Sequence, residues 1–318
     1  MANTTDFVGA QKANRRNTMV LLAALTALAA LVGYTIGWLL ESESSNAVPV
    51  LSKAGVGVAG LMAAVSVGWS ALSLAFGDKM VLAMANARQI DKADAPQLYN
   101  VVEEMAIAAG VPMPKVMVLE TDALNAFATG NKPGNGTIAV TRGLLNALNR
   151  DELQGVAAHE MAHLANLDTR YMVVVGVTVG LIALVCDMLL RSLAWGRGNR
   201  SSSSSNKKGG GAAILIILLV VVAIVAPIAA KFVQMAVSRQ REYLADATSV
   251  QFTRNPNGLI SALGKLAEKA EPFPGVSRAT QHLFIVNPVQ TFTAKSSALL
   301  ATHPDIADRV ARLRNLGA

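Results

Sequence analysis

The sequence is poor in cysteine, aromatic residues and charged residues. Its single cysteine, Cys186, excludes a disulfide within one chain, so nothing indicates an oxidising compartment. Aromatic residues make up 5% of the chain, and no basic stripe is interleaved with them. The net charge of +7 therefore does not indicate nucleic-acid binding, and we expect no nucleic-acid partner. Charged residues reach only 15%, whereas a soluble domain usually carries about a quarter.

The charges are missing chiefly from four apolar segments. Residues 18–40, 54–77 and 212–230 contain none, and residues 171–190 contain only Asp187. A helix needs about 20 apolar residues to span a bilayer, so each segment is long enough. The sequence therefore predicts an integral membrane protein with four apolar helices, for which the lipid bilayer is a partner.

The first apolar segment follows three basic residues, as a secretory signal does: Lys12, Arg15 and Arg16. Its apolar run is longer than the about 7–15 residues of a signal peptide, and a second apolar segment follows soon after. We therefore interpret residues 18–77 as a retained transmembrane hairpin, with an acidic, serine-rich connection at residues 41–45. A cleaved signal peptide is the alternative.

The most informative motif is H-E-M-A-H at residues 159–163, within a segment (residues 151–169) that we predict to be helical. Residues four apart share a helix face, so His159 and His163 can reach one metal ion. Glu160, between them, can face a water in an open coordination position. Two nitrogen ligands with an open position are typical of catalytic zinc, and H-E-x-x-H is a known metalloprotease signature. A surface helix carrying two histidines by chance is the alternative, which the small apolar neighbours disfavour.

A tetrahedral zinc site needs a third protein ligand, and the best candidate lies far downstream. Glu242 and Asp246 are four apart and share a helix face. Glu242 can then bind the metal, and Asp246 can accept the second ring N–H of a ligating histidine, which fixes the tautomer of that histidine. Taken alone, an exposed charged helix would explain this pair better. The upstream motif favours the metal site.

These segments resemble the HtpX-type membrane zinc metalloproteases, relatives of the CAAX-processing zinc endopeptidases. The resemblance rests on H-E-M-A-H and on S-R-Q-R-E-Y-L-A-D-A from residue 238. Three further blocks agree in the right order: G-D at 77–78, N-A-F-A-T-G from 125, and T-H-P at 302–304 with Arg309. The resemblance implies a gluzincin-type site, with His159, His163 and Glu242 on one zinc ion per chain and Glu160 as the base.

The segments between the apolar pairs predict a fold that is mainly α with a small β-sheet. We expect a helix over residues 96–109, strands over 115–119 and 136–141, and a further strand or edge segment over 125–129. The predicted division is a polar tail (1–17), the transmembrane hairpin (18–77), a first part of the protease domain with the H-E-x-x-H helix (78–170), a second apolar pair with a Ser/Gly-rich connection (171–230), and a second part of the protease domain with the third ligand (231–318).

One segment is a candidate for substrate binding: Asn125, Ala126, Phe127 and Ala128. It precedes a turn at residues 131–135 and lies close in sequence to the metal helix. A sheet edge beside a metal helix is a usual place for an extended peptide to add as a strand. We therefore expect a polypeptide substrate to bind along these four residues.

The predicted mechanism uses zinc to activate a water and to polarise the peptide carbonyl. Glu160 takes the water proton and later delivers it to the leaving amine. His303, in T-H-P, is the candidate donor to the developing oxyanion. The alternative is that His303 and Pro304 only cap the last helix. We expect His282 to be a packed structural histidine.

The predicted function is a membrane-anchored zinc endopeptidase. The resemblance implies quality control of damaged or misfolded membrane proteins. An intramembrane protease would need H-E-x-x-H inside an apolar span, but this helix carries several charged residues. A non-enzymatic scaffold or transporter would need polar residues along the spans, where Asp187 is the only ionisable one.

The basic residues predict the orientation of the chain in the plasma or inner membrane. Lysines and arginines precede the first apolar segment and follow the second, which places residues 78–170 and the active site in the cytoplasm. The ligands must meet, so residues 171–230 cross the membrane twice or not at all. We favour two crossings, although the five basic residues within 191–211 argue for a shallow hairpin.

Overall fold

A computed structural model describes residues 7–45, 51–175, 239–268, 285 and 304–316. The predicted apolar helices at 171–190, beyond residue 175, and at 212–230 lie outside these residues, as do Cys186, Asp187, His282 and His303. The described residues divide into two compact units. The hairpin unit comprises Met19–Leu72. The core unit comprises the described parts of Met1–Thr18, Ser73–Val177 and Val233–Ala318.

Two long helices, α1 (Phe7–Ser45) and α2 (Lys53–Met84), carry the first two apolar segments. Each is long and apolar enough to cross a membrane, over Lys12–Trp38 and Lys53–Met84. Only 6% of the most apolar stretch of α2 is buried, and large apolar side chains such as Leu61 are exposed. Exposed apolar surface on this scale is rare in water-soluble proteins, whereas it suits contact with lipid.

Small residues bring α1 and α2 together within the hairpin unit. A Cβ atom at Gly37 would lie 2.4 Å from the carbonyl oxygen of Ala54, and one at Gly33 would lie 2.8 Å from that of Val58. Glycines four apart allow this close backbone approach in membrane helices. The connection predicted at residues 41–45 is helical instead, and the Glu41 carboxylate accepts a hydrogen bond from the Ala54 N–H at 3.0 Å. This contact lies at the first turn of α2, where a negative charge is favourable.

The core unit contains a four-stranded sheet made of β1 (Arg88–Gln89), β2 (Lys115–Leu119), β3 (Ala126–Thr129) and β4 (Thr137–Thr141). The order of the strands in the sheet is β1-β2-β4-β3. Strands β2 and β4 are parallel, and β1 and β3 run antiparallel to their neighbours. The strands predicted over 115–119, 125–129 and 136–141 lie within one residue of the observed ones.

Helices cover the sheet and form the core with it. Helix α3 ends before Gly110, which has the left-handed φ of 65° that suits glycine at this position. The predicted helix over 96–109 therefore has the observed bounds. The helices of the core unit that follow α2 are α3 (Pro96–Ala109), α4 (Arg142–Ala147), α5 (Arg150–Ala165), α6 (Arg239–Thr253), α7 (Pro256–Glu268) and α8 (Ile306–Leu316).

The start of α5 is fixed by its own cap and by α7. Asn149 and Glu152 form a reciprocal capping box, which satisfies two of the free N–H groups at the helix end. The Glu152 carboxylate also accepts hydrogen bonds from Ser261 and Lys265 of α7, at 2.6 and 2.7 Å. Gly155 lets the two helices touch, because a Cβ atom there would lie 2.5 Å from the backbone nitrogen of Leu259. The helix that carries the motif is thus held rigidly against the C-terminal part of the core unit.

The predicted continuation of the motif helix to residue 169 is wrong. Helix α5 ends at Ala165, a turn occupies residues 166–167, and the chain is helical again from 168 to 175. Leu167 has a φ of 59° although it is buried, and the left-handed conformation costs a non-glycine residue about 1–2 kcal/mol. The break changes the direction in which Asp168 points, with consequences for the site.

Candidate metal centre

Helix α5 presents both histidines of the motif on one buried face. His159 and His163 are 1% and 4% exposed, and their ring centroids lie 4.8 Å apart with the planes nearly perpendicular. The spacing of four residues brings the two rings together, as the helical period requires. Their Nε2 atoms both face the carboxylate of Glu242.

Glu242 reaches the two histidines from α6. Its Oε2 atom lies 3.6 Å from Nε2 of His159, and its Oε1 atom lies 3.6 Å from Nε2 of His163. The potential ligand atoms of the three residues lie within 4.8 Å of one another. Ligand atoms bound 2.0–2.2 Å from a tetrahedral ion lie about 3.3–3.6 Å apart. The cluster therefore has the donors and nearly the dimensions of a His₂Glu zinc site.

A carboxylate and an arginine stand behind His159. The Nδ1 atom of His159 lies 3.0 Å from Oδ1 of Asp246, one turn along α6 from Glu242. Arg309 of α8, which is 1% exposed, donates to both oxygens of Asp246 at 2.9 and 2.7 Å. Its Nη1 atom also lies 3.4 Å from Oε2 of Glu242. One buried guanidinium therefore contacts two buried carboxylates.

The charged groups around His159 change the pKa of its imidazole. Burial and the charge of Arg309 lower its pKa, but the hydrogen bonds to Asp246 and Glu242 raise it more, to about 9. Burial raises the pKa of Asp246, yet Arg309 and His159 together hold it below its usual range. In the absence of a metal, His159 is thus a cation between two carboxylates. A metal ion that binds there must displace its proton.

A second carboxylate stands behind His163. Oδ2 of Asp168 lies 3.0 Å from Nδ1 of His163, and Asp168 is 1% exposed. In an unbroken α-helix, residues five apart point about 140° away from each other. The turn at 166–167 is therefore what brings Asp168 under the ring. Burial lowers the pKa of His163, but Asp168 and Glu242 raise it more.

Glu160 lies beside the two histidines and is 2% exposed. Burial raises its pKa above the usual range for a carboxyl, although the two histidines and a hydrogen bond from the Ala128 N–H act in the opposite direction. A glutamate with a raised pKa can both accept and return a proton near neutral pH.

The predicted substrate segment lies at the end of the sheet nearest α5. In the described part of the chain, β3 is the terminal strand, and Asn125, Ala126, Phe127 and Ala128 are all at most 3% exposed. The outward-facing carbonyl of Ala126 accepts a hydrogen bond from the Ile285 N–H at 3.0 Å. Ala128 donates its N–H to Glu160. The edge thus lies beside the metal cluster, and both of these backbone groups are already hydrogen-bonded.

Two residues of the cluster were missed in the sequence, and one candidate lies outside the described residues. The sequence alone assigns no role at the site to Asp168, and Arg309 only accompanies the T-H-P block. The sequence did contain a signal for the break in the helix, namely Asn166 and Asp168 on either side of Leu167. Asparagine and aspartate both favour helix ends over helix interiors. The structure does not describe His303, and its role stays a prediction.

Comparison with known proteins places this cluster in a family. The profile of peptidase family M48 matches residues 92–317, which include the three candidate ligands His159, His163 and Glu242. The chain belongs to peptidase family M48. The profile covers more than half of the chain and includes both H-E-x-x-H and Glu242.

Related proteins match this M48 peptidase over almost its whole length. It is 41% identical over 308 residues to "Protease HtpX homolog" of Lactiplantibacillus plantarum, with 95% of this chain and 97% of that protein covered. It is 39% identical over 306 residues to "Protease HtpX homolog" of Thermoanaerobacter pseudethanolicus, with 96% of each covered. Together with α1 and α2, these matches show that the protein is a membrane-bound metalloprotease.

A more distant similarity concerns a solved structure. The crystal structure of S. mikatae Ste24p is 20% identical to this chain, with a TM-score of 0.46, and the alignment covers 80% of this chain and 64% of that one. Membership of the family follows from the sequence matches alone.

Proposed function

We propose that this protein is a zinc endopeptidase that cleaves polypeptides at the cytoplasmic surface of the membrane. The observation that carries the proposal is the convergence of His159, His163 and Glu242 on one point, from two helices far apart in sequence, with Glu160 beside them. Two nitrogen donors and one carboxylate leave one tetrahedral position open, which is typical of catalytic rather than structural zinc. The arrangement is of the gluzincin type.

The residues around the ligands hold them in place for this chemistry. When bound, zinc supplies a Lewis acid that activates water and polarises the scissile carbonyl. Asp246 and Asp168 accept the Nδ1–H groups of His159 and His163, which leaves both Nε2 atoms free to bind the metal. Arg309 balances part of the negative charge of Asp246 and Glu242, all three side chains being buried.

Glu160 is the proposed proton carrier. It removes a proton from the attacking water and returns it to the leaving amine, and the raised pKa of its buried carboxyl suits both steps. Its hydrogen bond from Ala128 ties the base to the proposed substrate edge. A substrate strand that binds the Ala126 carbonyl must first displace the Ile285 N–H. His303 keeps its proposed role as a donor to the oxyanion.

The proposed setting is the cytoplasmic face of a multi-pass plasma or inner membrane protein with four apolar helices. Basic residues flank the apolar parts of α1 and α2 on the sides that would face the cytoplasm: Lys12, Arg15, Arg16, Lys79, Arg88 and Lys92. The proposed topology uses the division of the chain into segments that the sequence predicts. In this setting, substrates are damaged or misfolded membrane proteins, and the protease acts in quality control.

Activity and metal content measured on one sample test the proposal. Purified protein in detergent should carry one zinc ion per chain and cleave casein, and a zinc chelator should stop cleavage. Glu160→Gln should keep zinc and lose cleavage, because the ligands remain and the base does not. Glu103→Gln, a change of an exposed glutamate on α3, is the matched control. Normal turnover in Glu160→Gln would remove Glu160 from the mechanism.

Cysteine labelling in intact cells tests the orientation. Cys186 is replaced by alanine, and a new cysteine is placed at Ile107, an apolar residue of α3 that is 77% exposed. The proposed topology protects this cysteine from an impermeant reagent until the cells are opened. Labelling from outside would contradict the cytoplasmic site. A cysteine at Ser203, in the connection between the last two apolar segments, separates two crossings (labelled) from a shallow hairpin (protected).

A further inference from the structure

Asn14, near the start of α1, connects this part of the helix to the turn after α5 within the core unit. It lies on α1, one turn before Thr18, the residue at which the first apolar segment begins, and it is only 6% exposed. Its Nδ2 atom donates hydrogen bonds to Oδ1 of Asp168 at 2.7 Å and to the carbonyl oxygen of Asn166 at 2.9 Å. These partners are more than 150 positions away in the sequence, on either side of the break after α5.

The chemistry of the partners fixes the orientation of the Asn14 amide. A carboxylate and a backbone carbonyl only accept hydrogen bonds, so the NH₂ end must face them. An amide NH₂ group has two hydrogens, one for each acceptor. Asn14 thereby bridges the residues that flank Leu167, whose left-handed backbone makes the turn. Strained conformations persist where surrounding contacts over-determine them, and Asn14 supplies two such contacts.

The Asp168 carboxylate divides its two oxygens between Asn14 and the metal cluster. Oδ1 faces Asn14, with Nε of Arg241 further away at 3.8 Å, and Oδ2 faces Nδ1 of His163. A carboxylate held by one oxygen cannot rotate freely, so the other oxygen stays directed at the ring. Because the Asn14 amide is neutral, it holds the Asp168 carboxylate without neutralising its negative charge.

We propose that Asn14 is a positioning residue of the metal site, which acts on His163 through Asp168. The segment of α1 that precedes the first apolar segment is therefore part of the metal centre as well as of the anchor. This inference rests on the proposed function, since it assumes that His163 binds zinc. It goes further in assigning a role at the site to a residue outside the stretch that the family profile matches.

A double-mutant cycle separates positioning from simple anchoring of the helix. If Asn14 acts through Asp168, its removal weakens zinc binding only while Asp168 is present. If Asn14 merely fastens α1, its removal has the same effect in both backgrounds. The matched control is Asn17→Ala, an asparagine on the same helix, three residues further on and partly buried.

The measurement is zinc affinity of the full chain in detergent, by competition with a chromophoric chelator. Loss of the direct partner in Asp168→Ala should weaken binding about 10–100-fold. Asn14→Ala, one contact further out, should weaken it about 3–10-fold, and Asn17→Ala less than about twofold. In the double variant, Asn14→Ala should add less than about twofold to the effect of Asp168→Ala.

Three outcomes would overturn the inference while leaving the proposed function intact. They are unchanged zinc affinity in Asn14→Ala, an equal loss in both backgrounds, and an equal loss in Asn17→Ala. Absence of zinc from the wild-type protein would instead contradict the proposed function itself. If Asn14→Ala does not fold, Asn14→Ser replaces it in the cycle under the same criteria, because serine keeps a polar group but cannot bridge both acceptors.

Discussion

The two histidines of the motif lie one turn apart on one helix, yet their supports differ in charge and origin. Behind His159 stand Asp246 and Arg309, a carboxylate with a guanidinium that forms two hydrogen bonds to it. Behind His163 stand Asp168 and Asn14, a carboxylate with a neutral amide. The first support comes from the C-terminal helices α6 and α8. The second comes from a break in the chain after α5 and from the N-terminal helix.

The comparison shows that a buried ion pair and a turn in the backbone can each hold a carboxylate against a histidine of the motif. The His159 support contains a fully buried cation between two carboxylates, so removal of any member leaves an uncompensated charge. The His163 support depends on a left-handed turn and on hydrogen bonds from a neutral amide, with the Arg241 guanidinium further away, at 3.8 Å from Asp168. We therefore expect changes in the first support to have the larger effects on stability, whereas both supports should matter for zinc.

The largest effect is expected for Arg309→Met. The change removes one of the two cations, Arg309 and the protonated His159, that balance the buried Asp246 and Glu242, which should lower the free energy of unfolding by about 3–5 kcal/mol. Chemical denaturation of the metal-free protein in detergent measures this. Arg312→Met is the matched control, because Arg312 lies on the same helix and its side chain is 56% exposed. Equal stability of the two variants would show that the buried arginine does not balance the carboxylates.

The two carboxylates, Asp246 and Asp168, can also be compared by their effects on zinc binding. Asp246→Ala and Asp168→Ala should each weaken zinc binding by about 10–100-fold, since each removes the partner of one ligating histidine. Asp246→Ala should also destabilise the metal-free protein more than Asp168→Ala does, because it leaves Arg309 without its main partner. Competition with a chelator and denaturation of the same samples give both values. The reverse order of stability would contradict the assigned difference between the two supports.

A smaller effect follows from the pKa of His159, which is raised to about 9 in the metal-free protein. At pH 7.5 the ring is protonated without metal and must be neutral to bind it, so zinc uptake should release about one proton from this residue. Zinc affinity should accordingly rise with pH up to about 9. Calorimetry in buffers of different ionisation enthalpy counts the protons. An enthalpy independent of the buffer would place neutral histidines in the metal-free site.

The stability of the metal-free protein should have the opposite pH dependence. A raised folded-state pKa for His159 means that its contribution is fully present below the unfolded value of about 6.5. The contribution is lost as the pH rises through about 9. Thermal unfolding at a series of pH values, with and without chelator, would show the two trends.

Local patterns in the sequence predicted the carboxylate of one support, Asp246, and neither residue of the other. Spacing by four residues identified Glu242 and Asp246, and turn residues identified β2, β3 and β4, because these features repeat within one element. The contact of Asp168 with His163 could not be predicted, because it requires the helix to break and spacing rules assume that a helix continues. The contacts of Asn14 and Arg309 with the cluster could not be predicted from the sequence. Both residues are far from the motif in sequence, and periodicity relates only residues within one helix or strand.

The central claim is that Glu242 completes a zinc site begun by His159 and His163. The most direct test is the zinc-to-protein ratio, measured by elemental analysis, in wild type, Glu160→Gln and Glu242→Ala purified in the same way. We predict about one zinc per chain in the first two and a ratio near zero in the third, because a tetrahedral catalytic site does not hold zinc with two histidines alone. Full zinc occupancy in folded Glu242→Ala would contradict the account and show that another residue supplies the third ligand.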